Sequence, residues 1–342
     1  MAFGSDIEWT ESTWNPVTGC DKVSPGCKHC YAERMAERLQ AMGQANYKDG
    51  FKLTLQPHML ELPLRWKKPR KIFVNSMSDL FHKDVPFEYI AAVFGVMAAT
   101  PWHTYIVCTK RAKRMREWFR WYEGESGAGG SPNAALHSAR ALVGGQINRA
   151  MEDCLERDEW PLPNVWLLVS TENQETFDER VPELLECSAA VRGVSAEPLL
   201  GPITFWPKTL GQGADCRECG PLTRVDEEGC CPSCGADAMW YGLDWVIVGG
   251  ESGPRVRPMD PAWVTDIRDQ CKAAGVSFFF KQWGGTNKKK AGRTLDGRTW
   301  DEMPTGSSRD DGVIQAEPRG VAGDECVYGN NCGRLGCQEC QQ

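Results

Sequence analysis

The sequence predicts an α/β protein with a parallel sheet, arranged either as a barrel or as a doubly wound sheet. Short apolar runs rich in Val, Ile and Phe recur along the 342 residues, and each is followed by polar residues and a segment with helical periodicity. Strands and helices that alternate in this way form β/α units around a parallel sheet. A hydrophobic content of 41% supports a large buried core.

About six such units are present. The predicted strands are Lys71–Met77, Thr104–Cys108, Val165–Ser170, Ala190–Ser195, Trp245–Gly249 and Val276–Lys281. A further short strand near Ile7–Trp9 is expected to open or close the set. Amphipathic segments between the strands predict the helices Ala32–Met42, Phe87–Ala99, Ala112–Tyr122, Thr176–Leu185 and Pro261–Ala274.

Three regions interrupt this alternation. A Gly- and Ser-rich loop at Glu123–Asn133 leads into a predicted helical insertion, Ala134–Arg157. The segment 211–241 carries its own cysteines, and the polar, glycine-rich segment 305–342 carries four more. The predicted organisation is therefore an α/β core over residues 1–304, a zinc-ribbon insertion within it at 211–241 and a cysteine-containing tail at 305–342.

The net charge of −7 argues against a protein that coats nucleic acid nonspecifically, because that function needs a broad cationic surface. Local basic runs are present at residues 67–71, 110–120 and 288–290. No run approaches the roughly 18 apolar residues that span a bilayer, and the N-terminus lacks the layout of a signal peptide. We therefore expect a cytoplasmic protein without a membrane partner.

Three cysteines near the N-terminus, Cys20, Cys27 and Cys30, lie in a loop rich in Gly and Pro that leads into the first long helix. A structural zinc takes four protein ligands, whereas an iron–sulfur cubane held by three cysteines keeps one iron open. The loop therefore predicts an open iron–sulfur site. The spacing also permits a zinc site completed by His29 or by a distant cysteine.

This loop resembles the three-cysteine loop of the radical S-adenosylmethionine (SAM) superfamily, which occupies the same place in a partial (β/α)6 barrel. The spacing differs, because six residues separate Cys20 from Cys27 where the common pattern has three. His29 stands before the third cysteine, at a position that is usually aromatic.

The chain also resembles a family of uncharacterised proteins carried by bacteriophages and prophages. The motifs that carry this resemblance are Trp14–Cys20, Asn75–Phe81, Cys108–Arg111, Ser195–Pro202, Val248–Gly253 and Phe278–Gly284. They are distributed over most of residues 5–285. The family implies a radical-SAM-like barrel over residues 1–304, which is a partial (β/α)6 TIM-like barrel, and it does not supply a substrate.

The resemblance implies a 4Fe-4S cluster whose open iron chelates the amine and carboxylate of SAM. Reductive cleavage of SAM, with an external electron donor, then gives a 5′-deoxyadenosyl radical that removes hydrogen from an unactivated carbon. Phages often modify their DNA bases, so a nucleotide or nucleic-acid base is the expected substrate.

Polar residues follow all six predicted strands, at the ends where parallel α/β folds place their active sites. The candidate catalytic residues are Glu251, Lys110 and Glu197. The candidate cofactor-binding residues are Ser76, Asp79, Ser170, Glu172, Asn173, Gly249, Gly250 and Lys281. The Gly249–Glu251 triplet resembles the Gly-Gly-Glu that contacts the SAM amine in many radical-SAM enzymes, where it normally follows the second strand.

Two Cys-x2-Cys pairs, each followed by glycine and separated by eleven residues, predict a structural zinc site at Cys216, Cys219, Cys231 and Cys234. The tail cysteines are compatible with zinc, an auxiliary iron–sulfur cluster or a poorly ordered segment; they are Cys326, Cys332, Cys337 and Cys340. Four single cysteines, Cys108, Cys154, Cys187 and Cys271, are expected to be buried packing thiols.

Two other functions compete with the radical-SAM prediction. One is a noncatalytic zinc-binding phage interaction protein in which all three cysteine clusters hold zinc. The other is a metal-independent hydrolase or transferase that uses carboxylates at the barrel mouth, although the sequence has no recognisable Ser-His-Asp or paired-glutamate arrangement. The substrate and the oligomeric state do not follow from the sequence.

Overall fold

The protein is described here from a computed structural model, which describes residues 5, 7–124, 132–143, 160–206, 209–211, 213–216, 220–222, 233–234 and 239–304. The strands in chain order are β1 (Ser12–Trp14), β2 (Val17–Thr18), β3 (Thr54–Leu55), β4 (Lys71–Val74), β5 (Thr104–Thr109), β6 (Val165–Ser170), β7 (Val191–Ala196), β8 (Gly213–Cys216), β9 (Gly220–Leu222), β10 (Met239–Tyr241), β11 (Trp245–Gly249) and β12 (Ser277–Gln282). The α-helices are α1 (Tyr31–Ala41), α2 (Phe87–Ala98), α3 (Ala112–Glu123), α4 (Pro132–Val143), α5 (Gln174–Leu185), α6 (Pro261–Ala274) and α7 (Lys288–Ala291).

Seven strands form one parallel sheet in the order β1-β4-β5-β6-β7-β11-β12. The sheet curls strongly enough for residues from distant strands to meet. Trp9, which precedes β1, contacts Phe73 on β4 with ring centroids 4.8 Å apart and Trp245 on β11 at 6.1 Å. The architecture is therefore a mixed α/β fold whose sheet forms a half-barrel.

The two faces of the sheet bury different side chains. The convex face, together with the helices, forms the main hydrophobic core, and α2 is buried over nearly its whole length. Gly95 lets α2 approach α4 closely, because a Cβ atom at this position would lie 2.2 Å from the carbonyl oxygen of Ala135. The concave face carries a second cluster of buried residues, Trp9, Ile106, Trp166, Leu168, Val191, Trp245, Ile247 and Phe279.

The concave face changes character along the strands. Side chains of a strand alternate between the two faces, so residues two apart lie on the same side. Continuing from Ile106, Leu168 and Phe279 towards the carboxyl ends gives Cys108, Ser170 and Lys281. The half-barrel thus has an aromatic floor and a polar mouth.

Local sequence signals explain where the main helices begin and end. Asn173 caps α5 by accepting a hydrogen bond from the Thr176 backbone N–H, and the Thr176 hydroxyl completes a capping box. Asp260 caps α6 in a similar way, with Pro261 in the first turn. That helix ends at Gly275, whose φ of 70° lies in the left-handed region.

The alternation of strands and helices was predicted well, and two boundaries need correction. The strand that opens the sheet is Ser12–Trp14, not the segment near Ile7–Trp9, which forms a turn that places Trp9 in the floor cluster. The second sheet strand ends at Val74, not at Met77, because Asn75 adopts a left-handed φ of 60°.

The segment 211–241 contains a separate antiparallel sheet of order β10-β8-β9. Cys216 ends β8 and Cys234 is exposed, whereas Cys219 and Cys231 lie outside the described residues. The zinc ribbon therefore stays a prediction. The tail at 305–342, with its four cysteines, also lies outside the described residues, and α4 is the described part of the predicted insertion at 134–157.

No α-helix in the described part of the chain combines the length and the apolar composition needed to cross a membrane.

Candidate functional site

The three-cysteine loop follows β1 and the short strand β2, and it lies over the carboxyl ends of the sheet strands. Its first cysteine is held through the backbone, since Gly19 N–H donates to the Met77 carbonyl at 3.0 Å and Cys20 N–H donates to Phe51 at 3.2 Å. Gly19 has φ of 80°, and a Cβ atom there would lie 2.3 Å from the Lys52 carbonyl oxygen. Only glycine allows the chain to pass at this point.

The second cysteine ends a short 3-10 turn, Pro25–Cys27, that packs against the end of β6. The hydroxyl of Ser24, which precedes this turn, donates a hydrogen bond to Glu172 Oε1 at 2.7 Å. A Cβ atom on Gly26 would lie 2.2 Å from the same carboxylate oxygen. The cysteine turn and Glu172 are therefore in direct contact.

Glu172 is fully buried, and its charge is compensated from two sides. Arg180 Nη1 on α5 lies 3.2 Å from Oε2, and Lys110 Nζ lies 3.5 Å from Oε1. Burial raises the pKa of Glu172, but Lys110, Arg180 and the hydrogen bonds from Ser24 and Thr176 outweigh burial and lower the pKa overall. Glu172 is consequently an ionised carboxylate between the barrel wall and the cysteine loop.

Glu251, at the end of β11, makes a second connection to the loop. It accepts hydrogen bonds from Arg257 N–H at 2.9 Å, from Arg257 Nε at 3.1 Å and Nη2 at 2.5 Å, and it lies 3.1 Å from His29 Nδ1. Arg257 Nη1 also donates to the Pro25 carbonyl at 2.9 Å. Burial raises the pKa of Glu251, and these hydrogen bonds bring it down to about 2.

Cys20, Cys27 and Cys30 are partly exposed, and none forms a disulfide. Burial and the nearby charge of Asp79 raise the pKa of Cys20 to about 11, and Cys27 adds to this shift. Cys27 and Cys30 also lie close enough to Lys22 for their thiolate charges to raise its pKa, after the larger effect of its hydrogen bond to Glu33. The three thiols therefore share one electrostatic neighbourhood.

The thiols are not arranged as a closed zinc site. In tetrahedral coordination with Zn–S distances of about 2.3 Å, the sulfur atoms lie roughly 4 Å apart. Within the described ranges, the set of three ligand atoms that all lie within 4.8 Å of one another comes from Asp21, His82 and Asp84, and the three thiols do not form such a set. The zinc alternative stays a prediction.

His82, which follows β4, contacts the cysteine loop at Asp21. Its Nε2 lies 3.1 Å from Asp21 Oδ2, and its Nδ1 accepts the Asp84 backbone N–H at 3.2 Å. Both ring nitrogens of this buried histidine thus have protein partners. The three side chains are a possible ligand set, but their hydrogen bonds already explain the arrangement.

Below the loop, polar side chains form a connected chain along the concave wall. Lys110 Nζ donates to Ser170 Oγ, which donates to the Glu197 carbonyl at 3.1 Å. The Glu197 carboxylate lies 2.9 Å from Lys281 Nζ and accepts from Ser195 Oγ at 3.0 Å. This chain of contacts links the carboxyl ends of β5, β6, β7 and β12. We refer to the five residues Lys110, Ser170, Ser195, Glu197 and Lys281 as the mouth network.

Cys108, predicted to be a buried packing thiol, packs against the hydrophobic cluster of the concave face, but it is only partly buried and lies beside the mouth network. Burial raises the pKa of Cys108 to about 12, so this thiol is protonated at neutral pH. Cys187 and Cys271 are buried as predicted, and Cys154 lies outside the described residues.

Several predicted cofactor ligands have local structural partners. Asp79 accepts hydrogen bonds from Thr109 Oγ1 at 2.7 Å, Lys110 N–H at 3.0 Å and Phe81 N–H at 3.0 Å, so it connects β4 to β5. Asn173 is the cap of α5. Their cofactor-binding roles stay predictions.

The remaining predicted residues also lie at the mouth. Ser76 Oγ donates to Asn15 Oδ1 at 3.2 Å, and its carbonyl accepts from the Tyr31 hydroxyl. Gly249 leaves space for Glu197, since a Cβ atom there would lie 2.6 Å from Glu197 Oε1. Gly250 donates to the Gln282 carbonyl at 3.0 Å, and a Cβ atom on it would lie 2.2 Å from the Trp283 carbonyl.

Sequence reasoning missed Ser24, Gly26, Arg180 and Arg257. Arg180 had a detectable signal, because it occupies a buried helical position in register with Phe177 and Leu184. Arg257 had none, since it lies in an irregular loop between β11 and α6 and acts across 232 residues of sequence.

Comparison with known protein families gives a match for this chain. Residues 4–304 match the family described as "Protein of unknown function (DUF5131)", and the chain belongs to this family. No curated protein and no solved structure matches the chain.

Proposed function

We propose that the protein is an iron–sulfur enzyme of the radical-SAM type. The observation that carries the proposal is the position of the three cysteines, on the loop after β1 and β2, over the polar mouth of a parallel half-barrel. Active sites of parallel α/β folds lie at this end of the strands. The resemblance of the cysteine loop to the radical-SAM loop supports the same assignment.

The donor set fits such a cluster in its chemistry. Thiolates are the ligands of iron–sulfur clusters, and Cys20, Cys27 and Cys30 are free thiols with partial exposure. Three ligands leave one iron open, which a closed structural site does not. When bound, the reduced cluster supplies the electron that cleaves SAM and generates the radical that abstracts hydrogen from the substrate.

The protein's own residues supply binding and orientation. Lys110 and Lys281 each face a carboxylate, and their side chains are 20% and 18% exposed at the mouth. Ser170, Ser195 and Glu197 add donors and acceptors beside them. We propose that this mouth network orients SAM and a nucleotide or nucleic-acid base.

The decisive experiment is anaerobic purification and reconstitution with iron and sulfide. We expect a brown protein with about four irons per chain at the N-terminal site, as for a cubane. The variant in which Cys20, Cys27 and Cys30 are all replaced by alanine should lose this iron. Replacement of the buried Cys271 by alanine is the control and should leave the iron content unchanged, provided that the variant folds.

Activity is tested with reconstituted protein, SAM and dithionite as reductant. Formation of 5′-deoxyadenosine is the expected product. A colourless protein that binds one zinc at the N-terminal cysteines would overturn the proposal and favour the zinc-binding interaction protein. Iron uptake without SAM cleavage would contradict the catalytic half of the proposal.

A further inference from the structure

The Glu251 carboxylate is bound by protein groups at both oxygens, with three contacts at Oε2 and one at Oε1. A carboxylate offers about four acceptor positions. In this protein Glu251 faces four protein groups, namely three from Arg257 and His29 Nδ1. The side chain is only 5% exposed, so water does not compete for these positions. This geometry indicates a structural role for the Glu251 carboxylate, in which it orients Arg257 and His29.

Arg257 connects Glu251 to the cysteine loop. Its guanidinium binds both oxygens of Glu251 through Nε and Nη2, which fixes the plane of the fork, and the remaining Nη1 donates to the Pro25 carbonyl at 2.9 Å. Pro25 begins the turn that ends at Cys27. His29, which also contacts Glu251, lies between Cys27 and Cys30.

A third contact joins the same two segments. Arg34 on α1 donates from Nη2 to the Ser252 carbonyl at 3.2 Å. Gly253 makes room for this guanidinium, because a Cβ atom on Gly253 would lie 2.4 Å from Arg34 Nη2. The loop after β11 therefore contacts the cysteine segment at three points: Pro25 before Cys27, His29 between Cys27 and Cys30, and Arg34 after Cys30.

We propose that Glu251 and Arg257 are positioning residues that fix the turn carrying Cys27 and Cys30 in its ligating conformation. Holding the turn before metal binding removes the ordering cost that a flexible loop would meet on binding. The predicted effect on iron retention rests on the proposed function. The predicted rigidity of the cysteine turn in the metal-free protein does not.

The first test measures the metal-free protein. Alkylation of Cys20, Cys27 and Cys30 by iodoacetamide is followed over time by peptide mass spectrometry in the wild type, Arg257→Gln and Glu251→Gln. We expect Cys27 and Cys30 to react about fivefold faster or more in both variants, since opening of the turn exposes them. Cys20, anchored through Gly19 and Phe51, should keep its rate.

The matched control is Arg116→Gln. Arg116 pairs with Glu183 at 2.7 Å and Glu186 at 3.0 Å on α5, and its 21% exposure is close to the 26% of Arg257. This variant loses a comparable ion pair far from the loop, so all three alkylation rates should stay at the wild-type values. Arg257→Lys should give an intermediate rate, because a lysine cannot bind Glu251 in a fork and reach Pro25 together.

The second test measures iron loss from reconstituted protein to a chelator. Loss of partners that orient metal ligands typically weakens metal binding by about 10- to 100-fold, and we expect Arg257→Gln to release iron faster by a factor in this range. A wild-type chain that takes up no iron would contradict the proposed function, and the alkylation data would still test the positioning role. Unchanged rates at Cys27 and Cys30, or equal acceleration at Cys20 and the buried Cys271, would overturn the positioning role.

Discussion

The Ser24 hydroxyl donates a 2.7 Å hydrogen bond to Glu172 across 148 residues of sequence. Ser24 belongs to the loop after β2, and Glu172 follows β6, the central strand of the seven-stranded sheet. Because Glu172 is also paired with Arg180 and Lys110, one buried carboxylate connects the cysteine loop, the barrel wall and α5. The cysteine loop is thus built into the mouth at several strand ends.

Replacing Glu172 by glutamine should destabilise the protein strongly. The change removes the buried negative partner of Arg180, whose side chain is only 3% exposed, and leaves its guanidinium with the solvent-exposed carboxylate of Glu179. Breaking a buried pair in this way costs about 3–5 kcal/mol in the free energy of unfolding. Urea denaturation monitored by tryptophan fluorescence measures this loss.

The matched control is Glu179→Gln on the same helix. Glu179 lies 3.9 Å from Arg180 Nε and is 70% exposed, so its pairing is screened by solvent. We expect a change within about 0.5 kcal/mol. Equal effects of the two substitutions would show that burial of Glu172 does not govern the stability of this pair.

Replacing Gly26 by alanine should displace the cysteine turn. The added Cβ atom would lie 2.2 Å from Glu172 Oε1, and Glu172 cannot retreat because Arg180 and Lys110 hold it. Overpacking of this kind typically costs about 1–3 kcal/mol. Gly201→Ala is the control, since its Cβ atom would meet Asn173 at 3.4 Å, an ordinary contact. The free energy of unfolding, measured by urea denaturation, and the iron content after reconstitution should both decrease for Gly26→Ala. Both should stay at the wild-type values for Gly201→Ala.

Because of Glu251, the free energy of unfolding should depend on pH in the acidic range. Its pKa is lowered from 4.5 to about 2, so the folded protein holds this group ionised more strongly than the unfolded chain. The stabilisation is fully present above about pH 4.5 and is lost as the pH falls towards 2.

The measurement compares wild type with Glu251→Gln in urea at several pH values. At pH 7 the variant should be less stable by about 2–3 kcal/mol. The difference should shrink steadily between pH 4.5 and pH 2.5. A difference that stays constant over this range would contradict the assignment of the low pKa to Glu251.

The fold followed from the sequence because its signals are local. Buried strands such as Val165–Ser170 are continuous apolar runs, and helices such as Pro261–Ala274 carry a cap, a first-turn proline and a terminal glycine. The opening strand was misplaced because Ser12–Trp14 is only three residues long, and the adjacent Trp9 is apolar for a reason that only the curled sheet reveals.

The site was predictable only in part. Strand ends are known once strands are known, so Lys110, Ser170, Glu197 and Lys281 could be chosen before they were found in one network. Their partners could not, because Ser24, Arg180 and Arg257 meet the mouth through contacts between distant parts of the chain. For the same reason the sequence could suggest that Glu251 was important, but not that Arg257 and His29 already occupy it.

The aromatic floor gives the last prediction, which concerns the curl of the sheet itself. Trp245 is fully buried, contacts Trp9, Trp166 and Phe279 edge to face, and donates from Nε1 to the Glu302 carbonyl at 3.0 Å. Trp245→Ala should lower the free energy of unfolding by about 3–5 kcal/mol, since it removes these contacts and leaves a cavity.

Two further variants separate packing from the hydrogen bond. Trp245→Phe keeps much of the ring packing and loses the donor to Glu302, so we expect a smaller loss of about 1–3 kcal/mol. Trp206→Ala removes a tryptophan side chain that is 37% exposed and should cost less than Trp245→Ala. Urea denaturation followed by far-UV circular dichroism avoids the change in tryptophan fluorescence. If Trp245→Ala costs no more than Trp206→Ala, the floor does not hold the two sides of the half-barrel together.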